Sequence, residues 1–315
     1  MKKLGVAVVG TGFWGRNHVR VLSSLRKVRV VGVCDVDPKR AKEIGRRYEV
    51  IYSNRLDEIL SRKDVDAVTI CTPTITHKEV AAKAIDAGKH VFIEKPIAST
   101  SREAREVISI AKEKGVRVAV GFIERYNPAM RYIKRLVDKG KLGKIILVIA
   151  RRVTRWPERI GDVGVTKDSA IHDIDVMRYL VGDEVKAVYA RTGSLVHKFE
   201  DFSEILLSFA DGEVGFIDAN WLTPRKIRQL TITGSEATAT IDYVTQETIV
   251  EDSKRSFMPR IRWEEPLQLE LESFVTSILA DKPTSASGED GLKALEVCEA
   301  VLKSSATGQV VQISS

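Results

Sequence analysis

The hydrophobic positions of the chain follow two regimes. Up to residue 121, short and largely apolar runs, several of them apolar throughout, alternate with longer stretches whose apolar residues recur every three or four positions. The runs cover residues 4–9, 28–34, 67–71, 91–94 and 117–120; the amphipathic stretches cover 14–25, 38–48, 55–61, 78–87 and 101–114. A run that is apolar on both faces suits a parallel strand with helices on either side. Strand and helix in regular alternation predict a doubly wound parallel sheet, an α/β unit, over residues 1–121.

Past residue 121 the pattern changes. A helix is predicted over 128–139, a strand over 145–153, an arginine-bearing Pro/Gly loop over 154–167 and a helix over 168–180. From 185 to 252 the helical period is absent. Residues 185–196, 202–209, 213–221, 228–233 and 237–242 read as strands, separated by turn residues such as Ala210-Asp211-Gly212 and Gly234-Ser235. Helices return over 267–280 and 289–304, and a short strand closes at 310–313. Ser287-Gly288-Glu289-Asp290 is a helix start whose carboxylates complement the positive helix end. Residues 122–287 are expected to form a second, α+β domain on a largely antiparallel, open-faced sheet, with the helix at 288–306 packing back on the first domain.

A chain of 315 residues, 43% hydrophobic, accommodates two such domains. Lys and Arg (50) outnumber Asp and Glu (43), but the basic residues alternate with acids along helices. That distribution argues against a nucleic-acid partner and leaves a local anion pocket as a use for arginines. Cys34, Cys71 and Cys298 lie far apart without metal-ligand spacing, so no metal is expected and a reducing, cytoplasmic setting is. Met1-Lys2-Lys3 runs straight into the first strand with no signal peptide, and no apolar stretch approaches membrane-spanning length, so no membrane partner is expected.

The first strand leads into Gly10-Thr11-Gly12-Phe13-Trp14-Gly15, a GxGxxG at the start of a helix. Gly10 permits the tight turn, Gly12 lets backbone approach a pyrophosphate, and Gly15 allows close helix–strand packing. The helix N–H groups and dipole then face the phosphates. A second strand ends at Asp35, where a carboxylate accepts both ribose hydroxyls and repels a 2′-phosphate. NAD is therefore expected over NADP, with Lys39 and Arg40 close behind either as surface residues or as a softening of that preference.

Lys95 lies at the carboxyl end of a parallel strand, beside the switch point where such sheets bind ligands, and Pro96 restrains it. Asp168 and His172 are spaced i, i+4, so one helical face presents both. Oxidising an alcohol sends a hydride to nicotinamide and a proton to a base. His172 is the candidate base, Lys95 the group stabilising the reacting oxygen, and Asp168 the residue orienting either. Asp175, one turn on, reads equally as a contact to a neighbouring hydroxyl or as a solvent-facing charge.

Four stretches resemble the glucose–fructose oxidoreductase/inositol dehydrogenase (Gfo/Idh/MocA) family. They are the GxGxxG, Thr72-Pro73-Thr74 with His77, Glu94-Lys95-Pro96, and Asp168-Ser169-Ala170-Ile171-His172-Asp173-Ile174-Asp175. The closing Ser287-Gly288-Glu289-Asp290, Leu295-Glu296 and Gly308-Gln309-Val310 are also typical, so the resemblance spans essentially the whole chain. It implies an NAD(P)-dependent dehydrogenase acting on CH–OH groups, with the same Lys95, Asp168 and His172 set, and it allows a cis Lys95–Pro96 bond. Cofactor contacts are expected at Gly10, Thr11, Gly12, Phe13, Trp14, Gly15, Asp35, Thr72, Pro73, His77, Glu94 and Lys95, although His77 reads equally as a helix cap or packing residue.

Residues 122–128, together with Ala150-Arg151-Arg152-Val153 and 157–164, resemble the branch acting on UDP-N-acetylhexosamines. That implies a UDP-N-acetylglucosamine 3-dehydrogenase, or a relative oxidising the 3-hydroxyl of a UDP-sugar acid. Arg125, Tyr126, Arg152, Arg159 and Asp175 are then substrate candidates. Arg151, Arg152, Arg155 and Arg159 suit a diphosphate, although strand alternation lets only one of Arg151 and Arg152 point inward. Inositol or a free aldose is the alternative substrate, and a non-catalytic NAD-binding regulator the alternative class. Trp221 and Trp263 read as pocket or interface residues, and apolar strand runs such as Ile205-Leu206-Leu207 predict a homodimer or homotetramer formed through the second-domain sheet.

Overall fold

In the computed structural model, which describes residues 3–156 and 161–313, the five apolar runs of the N-terminal third become five of six parallel strands. In chain order the elements are β1 (Leu4–Val9), α1 (Phe13–Ser24), β2 (Val28–Cys34), α2 (Pro38–Arg47), β3 (Ile51–Ser53), α3 (Leu56–Leu60), β4 (Ala67–Ile70), α4 (His77–Asp86), β5 (His90–Ile93), α5 (Ser101–Lys114) and β6 (Val118–Val120). The sheet order is β3-β2-β1-β4-β5-β6, so strand order reverses between β1 and β4, the switch point of a doubly wound sheet. Every residue of β1 and β4 is buried, as strands covered on both faces require. The short β3 escapes the hydrophobic pattern because it is an edge strand whose Ile51 and Tyr52 face solvent.

The second sheet is built from α6 (Pro128–Asp138), β7 (Ile145–Arg155), α7 (Ile171–Val181), β8 (Val185–Gly193), β9 (Phe202–Phe209), β10 (Val214–Asn220), β11 (Leu222–Gly234), β12 (Ala237–Asp242), β13 (Thr248–Asp252) and β14 (Ser256–Phe257). α8 (Pro266–Leu279), α9 (Gly288–Thr307) and β15 (Val311–Gln312) complete the chain. Its nine strands run β14-β13-β12-β11-β7-β10-β9-β8-β15, antiparallel except for the β7–β10 pair. α7 packs on one face at Gly215, where a Cβ would come within 2.7 Å of Met177 Sδ. β8 stops short of the predicted 196 because the buried Asp201 carboxylate accepts the N–H groups of Leu195, Val196 and His197 and turns the chain.

The other face of this sheet carries a row of directly opposed residues, one per strand from β8 to β13: Tyr189, Leu206, Phe216, Ile149, Thr231, Thr240 and Ile249. All five apolar members of the row are exposed. The chain groups into two compact units: residues 1–122 with 267–292, and 123–266 with 293–315. The sequence puts the final helix with the first unit. From Lys293 onward it belongs instead to the second, where the Ser304 and Ser305 hydroxyls accept from the Ala190 and Thr192 N–H groups of β8. Its start is the expected one: Ser287 Oγ accepts from Asp290 N–H while the Asp290 carboxylate accepts from Ser287.

Candidate active site

In the first unit the expected cofactor residues gather at the carboxyl ends of β1, β2, β4 and β5. Gly10 has φ +85°, and a Cβ there would lie 2.7 Å from the Cys71 backbone. A Cβ on Gly15 would lie 1.7 Å from the Gly10 carbonyl oxygen, so the first turn of α1 closes only with glycine. At Gly12, the residue preceding α1, a Cβ would meet nothing within 4 Å. α1 begins without a side-chain cap or an acidic first-turn residue. That combination fits the pyrophosphate of a dinucleotide.

Asp35 is 6% exposed and already engaged. Its Oδ2 accepts from Thr11 N–H and Oγ1–H at 2.7 and 2.9 Å, and its Oδ1 accepts from Asp37 N–H at 2.9 Å and Arg40 Nη2 at 3.0 Å. Burial pushes this carboxyl up, but the bonds from Asp37, Thr11 and Arg40 outweigh it and hold it below the usual carboxylate range. An ionised carboxylate at the end of β2 fits a ribose diol. Exposed apolar side chains ring the same strand ends: Phe13, Val36 and Ile75 are 62, 87 and 69% exposed. Sequence reading found the first and missed the other two, which lie in loops with no periodic signal.

His77 and Glu94 take structural partners. The buried His77 ring sets Nδ1 2.8 Å from the Pro96 carbonyl and Nε2 2.9 Å from the Thr72 carbonyl, tying the loops after β4 and β5 together. Glu94 Oε1 meets His18 Nε2 of α1 at 2.9 Å, with both side chains buried. These two contacts fix the segment that carries the buried Lys95, whose bond to Pro96 is cis.

The second unit carries Asp168 and His172. The predicted helix over 168–180 begins as a π-helical turn, Thr166–Ala170, and continues as α7. Asp168 lies in that wide turn, buried; His172 is half-buried. Such turns recur at functional sites. A relay runs behind Asp168: Trp221 Nε1 donates to Ser169 Oγ, and Ser169 Oγ donates to Asp168 Oδ2, each at 3.1 Å. Trp221 is therefore a buried support of the candidate acid, and its edge meets the Trp156 ring at a centroid distance of 4.8 Å. Trp263, the other tryptophan singled out, is exposed.

The expected substrate residues take partners within the protein. Arg125 and Asp175, both assigned to substrate, take each other in a buried bidentate pair at 2.7 and 2.6 Å. Arg152 points inward as strand alternation predicts, but forks onto Asp173 at 2.7 and 3.0 Å and reaches Glu124 at 2.9 Å. Burial opposes the charge on Arg152, and the Asp173 and Glu124 carboxylates more than offset it, holding the guanidinium ionised. The physical reason is desolvation: a buried guanidinium requires fixed counter-charges, and the fold supplies them from α7 and from the segment before α6. Arg151 faces the open side and pairs with Asp218 at 2.9 Å; Arg155 is exposed; Tyr126 is buried; and Arg159 lies outside the described residues. Asp173, Glu124 and Arg228, none of them singled out from sequence, complete this charged layer.

Two family models match in succession: the oxidoreductase family with NAD-binding Rossmann fold over residues 4–122, and the GFO/IDH/MocA C-terminal domain over 130–240. The chain belongs to this family. It is accordingly a dehydrogenase of the CH–OH class with NAD as its cofactor. An inositol 2-dehydrogenase from Rhizobium meliloti is 28% identical over 98% of both chains. The structure of UDP-N-acetylglucosamine 3-dehydrogenase GnnA from Acidithiobacillus ferrooxidans superposes with a TM-score of 0.90 at 28% identity, covering 98% of this chain and 100% of that one. GenD2 from gentamicin A biosynthesis, solved with NAD, superposes at 0.89 with 27% identity, covering 100% of this chain and 97% of its own. Among the described residues no helix is long and apolar enough to cross a membrane.

Proposed function

We propose that this chain oxidises the 3-hydroxyl of a UDP-N-acetylhexosamine. The reading rests on the presence of Lys95, buried in a braced loop of the first unit, and of Asp168 and His172, in the π turn and α7 of the second, a set that non-catalytic relatives would not need. Similarity to GnnA across nearly the full chain supports the substrate. NAD, when bound at the α1 turn and Asp35, supplies the hydride acceptor.

The chain's own groups manage the proton and the oxygen. Lys95 Nζ donates a hydrogen bond to the reacting oxygen and stabilises the negative charge growing there. His172 takes the hydroxyl proton as the C–H hydride leaves and the C=O bond forms, which balances the oxidation. Asp168, anchored through Ser169 and Trp221, orients the acceptor of that proton. The first turn of α1 would hold the pyrophosphate, and the exposed Val36 beside Asp35 would lie against the adenine.

A second reading, an inositol or free-aldose dehydrogenase, is favoured by the commitment of Arg152 to Asp173 and Glu124, which removes it from any diphosphate. NADH absorbance with NAD and a panel of UDP-GlcNAc, its uronic acid, myo-inositol and glucose separates the two, with Lys95→Ala as the control. Turnover confined to UDP-sugars and abolished by Lys95→Ala is expected; turnover of inositol or glucose alone contradicts the nucleotide substrate. The exposed apolar row on the second sheet supports a homodimer or homotetramer through that face, and three free thiols support a cytoplasmic setting.

A further inference from the structure

Among the described residues, the charged layer around Arg152 includes a cation without a close counter-charge of its own. Arg228 on β11 stands directly opposite Arg152 on β7, in register across an antiparallel pair. Like charges in that position repel. Arg152 has its carboxylates at 2.7 to 3.0 Å, whereas the nearest carboxylate oxygen to Arg228 is Glu124 Oε1 at 3.8 Å, and that oxygen already accepts from Arg152 at 2.9 Å. Among the described residues the Arg228 guanidinium makes no hydrogen bond, and its side chain is 38% exposed.

Lys226 is two residues away, and the Arg228 charge is the foremost influence on it. The strand arrives there through an irregularity: Leu222 pairs with Arg155 but Ile227 with Val153, so residues 223–226 loop out of the ladder. Burial and then Arg152 lower the proton affinity of Arg228, while Arg228 foremost lowers that of Lys226; the carboxylates of Glu124, Asp173, Asp168 and Asp242 only partly compensate. Asp168 is among the carboxylates that act on Arg228. In the same layer the Tyr243 hydroxyl is buried under the Arg152 guanidinium, 5.1 Å from ring to cation, with no hydrogen-bond partner among the described residues. Two crowded cations and an orphaned hydroxyl form an arrangement that an anionic group would relieve.

We propose that Arg228, seconded by Lys226, binds an anionic oxygen group of the substrate, a carboxylate or a phosphate, on the inner face of the second sheet. This deepens the reading of the substrate as a charged sugar derivative and rests on it for the identity of that sugar. It also assigns to Arg228 the role that sequence reading gave to Arg152. Because Arg228 faces a like charge, neutralising it relieves repulsion, so Arg228→Gln is expected to melt at or above the wild-type temperature.

The test is calorimetric titration of the full-length protein with UDP, inorganic pyrophosphate and glucuronate, comparing wild type, Arg228→Gln, Arg228→Lys and Arg135→Gln. The last makes the same charge change on α6. Loss of one charge-assisted contact predicts weakening by ~10–100-fold in Arg228→Gln, partial recovery in Arg228→Lys, and little change in Arg135→Gln. Weakening for UDP and pyrophosphate assigns a phosphate; weakening for glucuronate alone assigns a carboxylate. Unchanged affinities in Arg228→Gln, an equal loss in Arg135→Gln, or a melting temperature several degrees below wild type in Arg228→Gln overturns the proposal. If UDP-sugars are turned over and Arg228→Gln binds them as wild type does, this inference fails and the substrate reading stands. If Arg228-dependent anion binding appears and no UDP-sugar is oxidised, the substrate reading fails and this one stands.

Discussion

The two units prepare for their ligands with different materials. The first offers backbone: a glycine turn, a helix start that no side chain caps and one carboxylate already oriented by Thr11, Asp37 and Arg40. The second offers side chains: Arg125 with Asp175, Arg152 with Asp173 and Glu124, and a surplus Arg228, drawn from separate strands and helices. Backbone sites tolerate no Cβ and are specified within a few consecutive residues. A charged layer is specified by register, and its stability depends on each member keeping its partner.

That contrast breaks most sharply at Arg152. Replacing it by Leu leaves Asp173 and Glu124 buried without their shared counter-charge, and should cost ~3–5 kcal/mol, read as a lower midpoint in urea unfolding. A variant of unchanged stability that loses only substrate affinity would restore Arg152 to the ligand and erase the distinction.

Next is Gly15→Ala, whose Cβ would sit 1.7 Å from a backbone oxygen that cannot move aside. A loss of ~3 kcal/mol, the upper end of overpacking, together with loss of NAD binding is expected from melting and fluorescence titration. Asp35→Ala sharpens the comparison at lower cost. Removing hydrogen bonds to a charged group should weaken NAD by ~10–100-fold. It should affect NADP less, because the 2′-phosphate is no longer repelled and Arg40 is released; an unchanged NAD to NADP ratio of dissociation constants contradicts this.

The smallest effect lies on the open sheet face. Glu204 stands opposite Asp218, and burial followed by that carboxylate pushes its carboxyl from 4.5 up to about 7. A raised pKa in the folded state favours folding while the proton is bound. Its contribution is therefore full below pH 4.5 and lost as pH rises through about 7. Glu204→Gln should gain relative to wild type across that window, by roughly 1–2 °C in melting temperature after allowing for solvent screening. A pH-independent difference would show that the pair does not titrate there.

How far the sequence reaches follows from the same contrast. Gly10, Gly12, Gly15 and Asp35 were legible because their meaning lies in a strand–turn–helix unit of some 25 residues read in order. Lys95, Asp168 and His172 were proposed from local motifs, and the π turn beneath Asp168 was not legible. The partners of Arg152 were not legible because they lie 21 and 28 residues away on other elements, and desolvation obliges them to meet. Arg228 was passed over because only strand register sets it against Arg152. β3 and β13 were missed because half or more of their residues face solvent.

The central claim is that this chain removes hydride from the carbon bearing the 3-hydroxyl of a UDP-N-acetylhexosamine. Incubating the enzyme with NAD and UDP-GlcNAc deuterated at C3, then measuring the mass of the reduced cofactor, tests it most directly. The account predicts NADH one mass unit heavier, with no such product from Lys95→Ala. Unlabelled NADH from the wild-type enzyme would contradict it.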